Sequence, residues 1–260
     1  MMNSLRIAAT GMNSQQTNVD VLSNNIANIN TTAFKRSRAA FTDLMYQNKV
    51  AVGALTSAQG SIAPTGAQIG MGAKLGSVYD IMTQGAVQET GNPLDIAIQG
   101  RGFFQIAMPD GEIAYTRDGA FGMDQDGNLV TKEGYEVEPN INIPEDATDL
   151  TITERGIVSA RIEDEIVELG ELTTVMFTNE GGLENIGGNY YLETESSGTP
   201  VEVIPSEEGS GGLLQNYLEG SNVDPIQEIT QLITAQRSYE LNSRVISAAD
   251  EMLSAINQIR

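Results

Sequence analysis

The sequence predicts an α+β protein: long N- and C-terminal helices pairing as an antiparallel coiled coil, with a central mainly-β domain. Two apolar seams and a run of short strands between them carry that expectation. Near the start, Leu5, Ala8, Met12, Gln15, Val19, Leu22, Ile26 and Ile29 keep an unbroken 3-4-3-4 spacing. Near the finish, Leu232, Ala235, Tyr239, Asn242, Ile246, Ala249, Leu253 and Ile256 repeat it. Such spacing holds a narrow stripe on one side of a helix, the pattern of coiled-coil packing. Each seam covers about 25 residues, a helix of roughly 37 Å at 1.5 Å per residue. With Leu5 opposite Ile256, the amides Gln15 and Asn242 fall in adjacent layers, where a bond between them would fix the register. Spacing alone also fits a helix hairpin inside one globular domain.

The elements follow in order. The first helix is expected from about Asn3 to Ile29, ending in the turn-forming cluster Asn28-Ile29-Asn30-Thr31-Thr32. A shorter amphipathic stretch follows, with Phe34, Phe41 and Leu44 as its apolar members. From Gln47 to about Gly76, Gly, Ala, Ser and Thr dominate, a composition that reads as a flexible loop. From Val78 the period is two, and Leu94, Ile96 and Ile98 alternate with Asp95 and Ala97 as in a half-buried strand. Phe103–Ile106 and Glu112–Tyr115 flank Pro109-Asp110-Gly111, where Pro presets φ and Gly accepts the left-handed region. Asp124–Asn128 turns the next pair before Leu129-Val130-Thr131, and further strands are expected at 156–162, 166–169 and 172–177. Short strands with no helical pattern between them indicate a β sandwich or barrel. Asp224 as N-cap and Pro225 at the first helical position open the last helix, with Glu228 nearby. The expected domains are 1–45 plus 221–260 (helical), 46–84 (an extended insertion) and 85–220 (mainly β).

Composition narrows the function. The formal charge is −21 and the pI near 4.1, which argues against nucleic acid and anionic membrane surfaces as partners. The first fifty residues are basic, with Arg6, Lys35, Arg36, Arg38 and Lys49 against Asp20 and Asp43, whereas 133–171 is dense in acid. A basic base and an acidic body are complementary between copies of the chain, although a solvated acidic face explains the same distribution. Without Cys, His or Trp there is no thiolate nucleophile, no thiolate metal site and no imidazole base. The opening residues lack the apolar core of a secretory signal, and no apolar run approaches the ~20 residues of a membrane span. No cleavable address is expected.

Candidate chemistry is weak. Asp124, Asp126 and Asn128 resemble a calcium loop, but Gly127 stands fourth rather than sixth and the twelfth position is Tyr135, so a tight turn is the better reading. Gly70–Gly76 has the wrong spacing for a dinucleotide fingerprint. Glu163 and Glu165 form a carboxylate pair of the kind glycosidases use, with no Trp to stack a sugar. Neither an enzymatic activity nor a cofactor is expected.

Several strings resemble the axial proteins of the bacterial flagellum, the family that builds rod and hook. Leu22–Arg36, with Asn24, Asn25, Asn28, Asn30, Phe34 and Lys35, resembles the family's N-terminal signature. Asn92–Phe104, with Gly100, Gly102, Phe103 and Phe104, resembles its central motif, continued by Tyr115–Phe121 and Gly127–Thr131. Ser221–Asp224 and Ala235–Glu240 resemble its last helix. Within the family, Tyr46-Gln47-Asn48 through Pro64-Thr65-Gly66, followed by Gly70-Met71-Gly72, resembles the segment of distal rod subunits, which replaces the flexible-loop reading by one ordered on assembly. A proximal rod or hook-type subunit is the near alternative; hook subunits carry an outer domain for which there is no room. The resemblance implies a structural protein without catalysis, copies stacking helically into a rigid tube that transmits torque from motor to hook. It implies the seam residues as the self-assembly surface. As partners it implies other copies of the chain, proximal rod and hook subunits, surrounding periplasmic and outer-membrane ring proteins, and the flagellar type III export apparatus. From a different class, a β-domain adhesin or binding module oligomerised by terminal helices also fits the element order.

Overall fold

The computed structural model describes residues 2–50, 65–144, 146–163, 165–207 and 209–258. It is α+β, with a helix at each end and strands between them, and it divides into two compact units. One comprises Met1–Ile26, Ser37–Tyr79 and Pro225–Arg260, the other Ala27–Arg36 and Asp80–Asp224. They are called the helical unit and the β unit below.

In the helical unit, α1 runs Met2–Ala27 and α2 runs Pro225–Gln258. Helix α1 stops two residues before the expected end, because Asn28 closes a turn: its carbonyl and its side-chain oxygen accept from the Thr31 amide and hydroxyl at 3.2 and 3.1 Å. Helix α2 begins at Pro225, whose missing N–H costs nothing at a first helical position. The helices touch in antiparallel sense. Asn25 of α1 bonds Glu228 of α2, and Gly11 abuts Asn242 so closely that a Cβ there would stand 2.9 Å from Nδ2. These two points set a register about eight residues, roughly two turns, from the one expected with Leu5 opposite Ile256. Consequently, Asn242 sits against the backbone space that Gly11 leaves, and among the described residues no hydrogen bond joins it to Gln15. The side chain of Ile256 lies outside the described residues.

The composition of 47–76 reads as loop, yet its described residues include strands. Tyr46–Val50 pairs antiparallel with Ala67–Gly70, and Ala73–Asp80 pairs with Ser37–Asp43. Small residues here allow close approach. Gly72 has φ +115° and lies against α1, where a Cβ would meet the Thr10 Oγ1 at 2.1 Å. Residues 51–64, Pro64 among them, lie outside the described residues.

The β unit is built on a seven-stranded antiparallel sheet in the order Glu184–Gly187, Tyr190–Leu192, Ile113–Thr116, Phe104–Ala107, Glu136–Glu138, Leu129–Val130, Gly122–Met123. A meander of Thr148–Ile152, Ile157–Ile162 and Glu165–Glu171 and three two-stranded ribbons complete it. Both expected turns form. Gly111 (φ +84°) and Gly127 (φ +82°) donate to the carbonyls of Met108 and Asp124, so Asp124–Gly127 is a β-turn. Adjacent strand residues point to opposite faces, and Phe103 and Phe104 use this to fill two different cores. Phe104 packs with Ile96, Ile98, Ile106, Val137 and Leu213, while Phe103 packs edge-on to Phe177 and Tyr191. The strand Ile96–Gln99 departs from expectation: Ile96, Ala97 and Ile98 are all buried, because Gly212–Gln215 pairs beside it and both faces are covered.

Candidate functional site: a buried charged junction

The β unit passes to the helical unit after residues 36 and 224 and is re-entered at residue 80. Within the β unit, the three stretches next to those points are stitched together. Asn222 is the first stitch. Its Oδ1 accepts from the Arg36 amide at 2.7 Å, and its Nδ2 donates to the carbonyls of Ile81 and Thr83 at 2.8 and 2.9 Å. The Ile81 amide donates to the Arg36 carbonyl at 2.8 Å.

Glu219 is the second stitch. Its carboxylate accepts from Lys35 Nζ at 2.5 Å, Arg117 Nε at 2.9 Å and the Gly85 amide at 2.8 Å. Its own carbonyl accepts from the Ala33 amide at 2.8 Å. The side chains of Lys35 and Glu219 are fully buried and that of Arg117 nearly so. Buried charges persist only where paired and hydrogen-bonded. Lys35 meets that need with the Thr83 carbonyl at 3.0 Å, and Arg117 with the carbonyls of Gly102 and Gly100 at 3.0 and 2.7 Å. Gly100 and Gly102 have φ of +131° and +136°, a region L side chains rarely adopt, and that twist supplies both carbonyls to one guanidinium. Arg117 also lies over the Phe103 ring at 5.8 Å. Two cations share one carboxylate, so burial, and after it Arg117, pull the Lys35 pKa down to about 8 against the attraction of Glu219.

A second buried polar site belongs to the helical unit. Asn25 Nδ2 donates to Glu228 Oε2 at 3.0 Å and to the Ser37 carbonyl at 2.9 Å, while its Oδ1 accepts from the Ser37 amide at 2.9 Å. Asn25 and Glu228 are both fully buried. The amide therefore ties α1 to α2 and to the strand Ser37–Asp43.

The sequence motifs thus converge in part. Lys35, Gly100, Gly102 and Phe103 meet at the junction, Phe34 is buried beside Lys35 in the chain, Phe104 fills the main core, and Asn25 serves the helical unit. Asn24 and Asn30 are exposed, and Asn28 forms the turn after α1. Of the seam residues, Leu22, Ala8, Ala235 and Ala249 are buried. Leu5, Met12, Gln15, Val19, Ile26, Ile29, Leu232, Asn242, Ile246 and Leu253 are half-buried, and Tyr239 is exposed. In the rod-type segment, Gln47 accepts from Asn3 at 3.2 Å, exposed Tyr46 lies against Gly70, and Gly66 is half-buried. Sequence reasoning missed Glu219 and the roles of Arg117, Asn222 and Glu228. Arg117 and Asn222 stand inside recognised strings, whereas nothing local marks Glu219, whose partners are 102 and 184 residues away.

The order of these parts defines a class, the flagellar axial proteins. Residues 5–35 match the model of the flagella basal body rod protein, residues 97–160 that of the flagellar hook protein FlgE/F/G D1 domain, and residues 214–259 that of the flagellar basal body rod FlgEFG protein C-terminal region. The chain is similar to the flagellar basal-body rod protein FlgG of Agrobacterium fabrum, at 54% identity over 99% of both chains. It is also similar to that of Caulobacter vibrioides, at 52% over 100% of both, and of Bacillus subtilis, at 40% over 100% of both. The chain belongs to the FlgG family of flagellar basal-body rod proteins.

Proposed function

We propose that the chain is a structural subunit of the distal flagellar rod, polymerising helically into a rigid tube that carries torque from motor to hook. The observation that carries this reading is end-to-end similarity, at 40–54% identity, to proteins named as basal-body rod proteins. Its location is accordingly the basal-body rod, reached by flagellar type III export. Its neighbours are other copies, proximal rod and hook subunits and the surrounding rings.

The exposed surface supports an assembling role. Beyond the face of α2 that meets α1, a second apolar stripe runs along the helix through Ile226, Ile229, Ile233, Leu241, Val245 and Met252. Leu241 is 61% and Ile226 is 76% exposed, a large apolar outlay for a helix that ends at a solvent boundary. In the proposed tube, α1 and α2 pair as the inner, coiled-coil wall, with helices of other copies covering this stripe and the β domain outside. The rod-type segment 46–84 fills gaps between copies. Within the β unit, the buried junction ties together the stretches next to residues 36, 80 and 224 and is where we place the load path.

Electron microscopy of motor complexes from cells lacking this chain tests the assignment. A rod stump without distal part or hook is the expected result. An intact rod without a hook would reassign the chain to the hook, and normal flagella would overturn the proposal.

A further inference from the structure

The negative charge of the chain belongs to one of its two units. The β unit holds 29 Asp and Glu against seven Lys and Arg, a net of −22; the helical unit holds six against seven, a net of +1. Pairing differs as sharply. In the β unit, Lys35 and Arg117 pair with Glu219, Arg101 with Glu180, Lys132 with Asp118, Arg155 with Glu207 and Arg161 with Asp149. In the helical unit, Arg6, Arg38, Lys49, Lys74, Arg237 and Arg244 are all exposed and form no ion pair among the described residues.

Three of these free cations stand on the β-ribbons of the helical unit. Arg38 is on Ser37–Asp43, Lys74 on its partner Ala73–Asp80, and Lys49 on Tyr46–Val50. Large apolar side chains are exposed there beside the polar Thr42, Asp43, Gln47, Asn48, Gln68 and Ser77: Tyr46, Ile69, Leu75 and Val78 are each more than two-fifths exposed, and Met45 between the ribbons is 85% exposed. The ribbons therefore present apolar surface with three exposed cations against one exposed carboxylate, Asp43.

The β unit holds the complement. A groove of about 580 Å³ is lined by Ile113, Leu192 and Pro200 together with Glu112, Glu184 and Glu193. The three carboxylates are exposed, and among the described residues none meets a cation. Ile113 is 41% exposed, so apolar surface is open at the groove as well. Tyr115, which also lines it, senses the negative field: burial first, then Glu193 and Glu202, push its phenol up to about 12.

We infer that the groove of one copy is the seat for the cationic, apolar ribbons of a second copy. The inference rests on the reading of the chain as a self-assembling subunit and names one of its contacts. Among the described residues neither half meets an ion-pair partner, the two are opposite in charge and alike in having apolar centres, and one chain supplies them in equal number. Because the two patches differ, the contact is heterologous. Repetition then runs from copy to copy rather than closing a two-fold dimer, and gives an open helix where the rotation does not close a ring.

The test uses two full-length charge-reversed chains. One carries Glu112→Lys, Glu184→Lys and Glu193→Lys; the other carries Arg38→Glu, Lys49→Glu and Lys74→Glu. All six positions are exposed, so both chains keep the wild-type circular dichroism. Polymerisation is followed by light scattering and negative-stain microscopy. Each chain alone should need about tenfold more protein than wild type to polymerise, since reversal turns three exposed attractions into repulsions. An equimolar mixture should polymerise like wild type, because each groove then meets a ribbon of opposite sign, and one chain with all six changes should do so too. The chain contains no Cys, so Lys49→Cys with Glu193→Cys adds a direct readout in isolated basal bodies: a disulfide ladder of multimers. Unchanged polymerisation of the single reversals, or failure of both mixture and six-fold chain to recover, overturns the inference and leaves the rod assignment standing. A wild-type chain that is dispensable for the rod overturns that assignment instead.

Discussion

Replacing Glu219 by Gln removes the one carboxylate that two buried cations share. The amide keeps a carbonyl for one donor, but its NH2 group faces Lys35 Nζ or Arg117 Nε, which stand at 2.5 and 2.9 Å from the two carboxylate oxygens. Lys35 and Arg117 are then left charged with side chains no more than 2% exposed. Leaving such charges uncompensated costs about 3–5 kcal/mol. That is a large part of the roughly 5–15 kcal/mol that stabilises a domain. For a β unit of this size, with about 2–4 °C lost per kcal/mol, the melting temperature should fall by about 10 °C. Lys35→Met is the informative control. It leaves Arg117 paired with Glu219 and removes the cation whose charge burial already disfavours, so its cost should stay under about 1.5 kcal/mol. Thermal unfolding by circular dichroism reads both, and limited proteolysis near residues 27–36 reads the stitch itself. Equal losses for the two variants would refute the reasoning, because they would mean that Lys35 and Glu219 matter as an isolated pair and not as part of a shared carboxylate.

Other outcomes follow from the same geometry. The pKa of Lys35 is about 8 when folded and 10.5 in the free chain, so between those values the unfolded chain holds the extra proton and stability rises with pH. The melting temperature of wild type minus that of Lys35→Met should therefore increase from about pH 8 to pH 10, and a decrease would contradict the assignment. Above that window the buried tyrosines Tyr115, Tyr190 and Tyr191, whose pKa values burial raises, pull the other way. Asn25→Ala strips the Ser37 amide and carbonyl of a partner and should cost about 1–3 kcal/mol in denaturant unfolding of the helical signal. Gly11→Leu puts its Cβ 2.9 Å from Asn242 Nδ2, crowds the rest of the side chain against α2 and should cost about 1–3 kcal/mol by overpacking, with a neutral result refuting the observed register. Ile229→Glu with Leu241→Glu should leave the monomer's melting temperature within about 2 °C of wild type while abolishing polymer in sedimentation.

Much of the fold was readable because its signals are local. The 3-4 spacing marked both helices, Asp224-Pro225 marked where α2 starts, and Gly111 and Gly127 marked turns that require positive φ. What stayed hidden depends on contacts between distant residues. The register of α1 and α2 follows from a missing Cβ at Gly11 and an amide at Asn25, neither of which belongs to an apolar seam. The strands within 46–80 follow from pairing with Ser37–Asp43 and with each other, which outweighs a composition that favours loops. Strands Tyr190–Leu192 and Val201–Val203 are only three residues long, too short for alternation to announce them. At the junction, the motif residues Lys35, Gly100 and Gly102 were visible as a pattern but not as a site, since Glu219, which unites Lys35 with Arg117, has no local signature.

The central claim is that this chain is a polymerising rod subunit whose helices form the inner wall and whose acidic β unit lies outside. Cryo-electron microscopy of isolated basal bodies, at a resolution that traces this chain, tests it most directly. The account predicts an open helical array of copies with α1 and α2 lining the lumen and the stripe from Ile226 to Met252 covered by neighbouring copies. A closed oligomer, or copies with that stripe facing solvent, would contradict it.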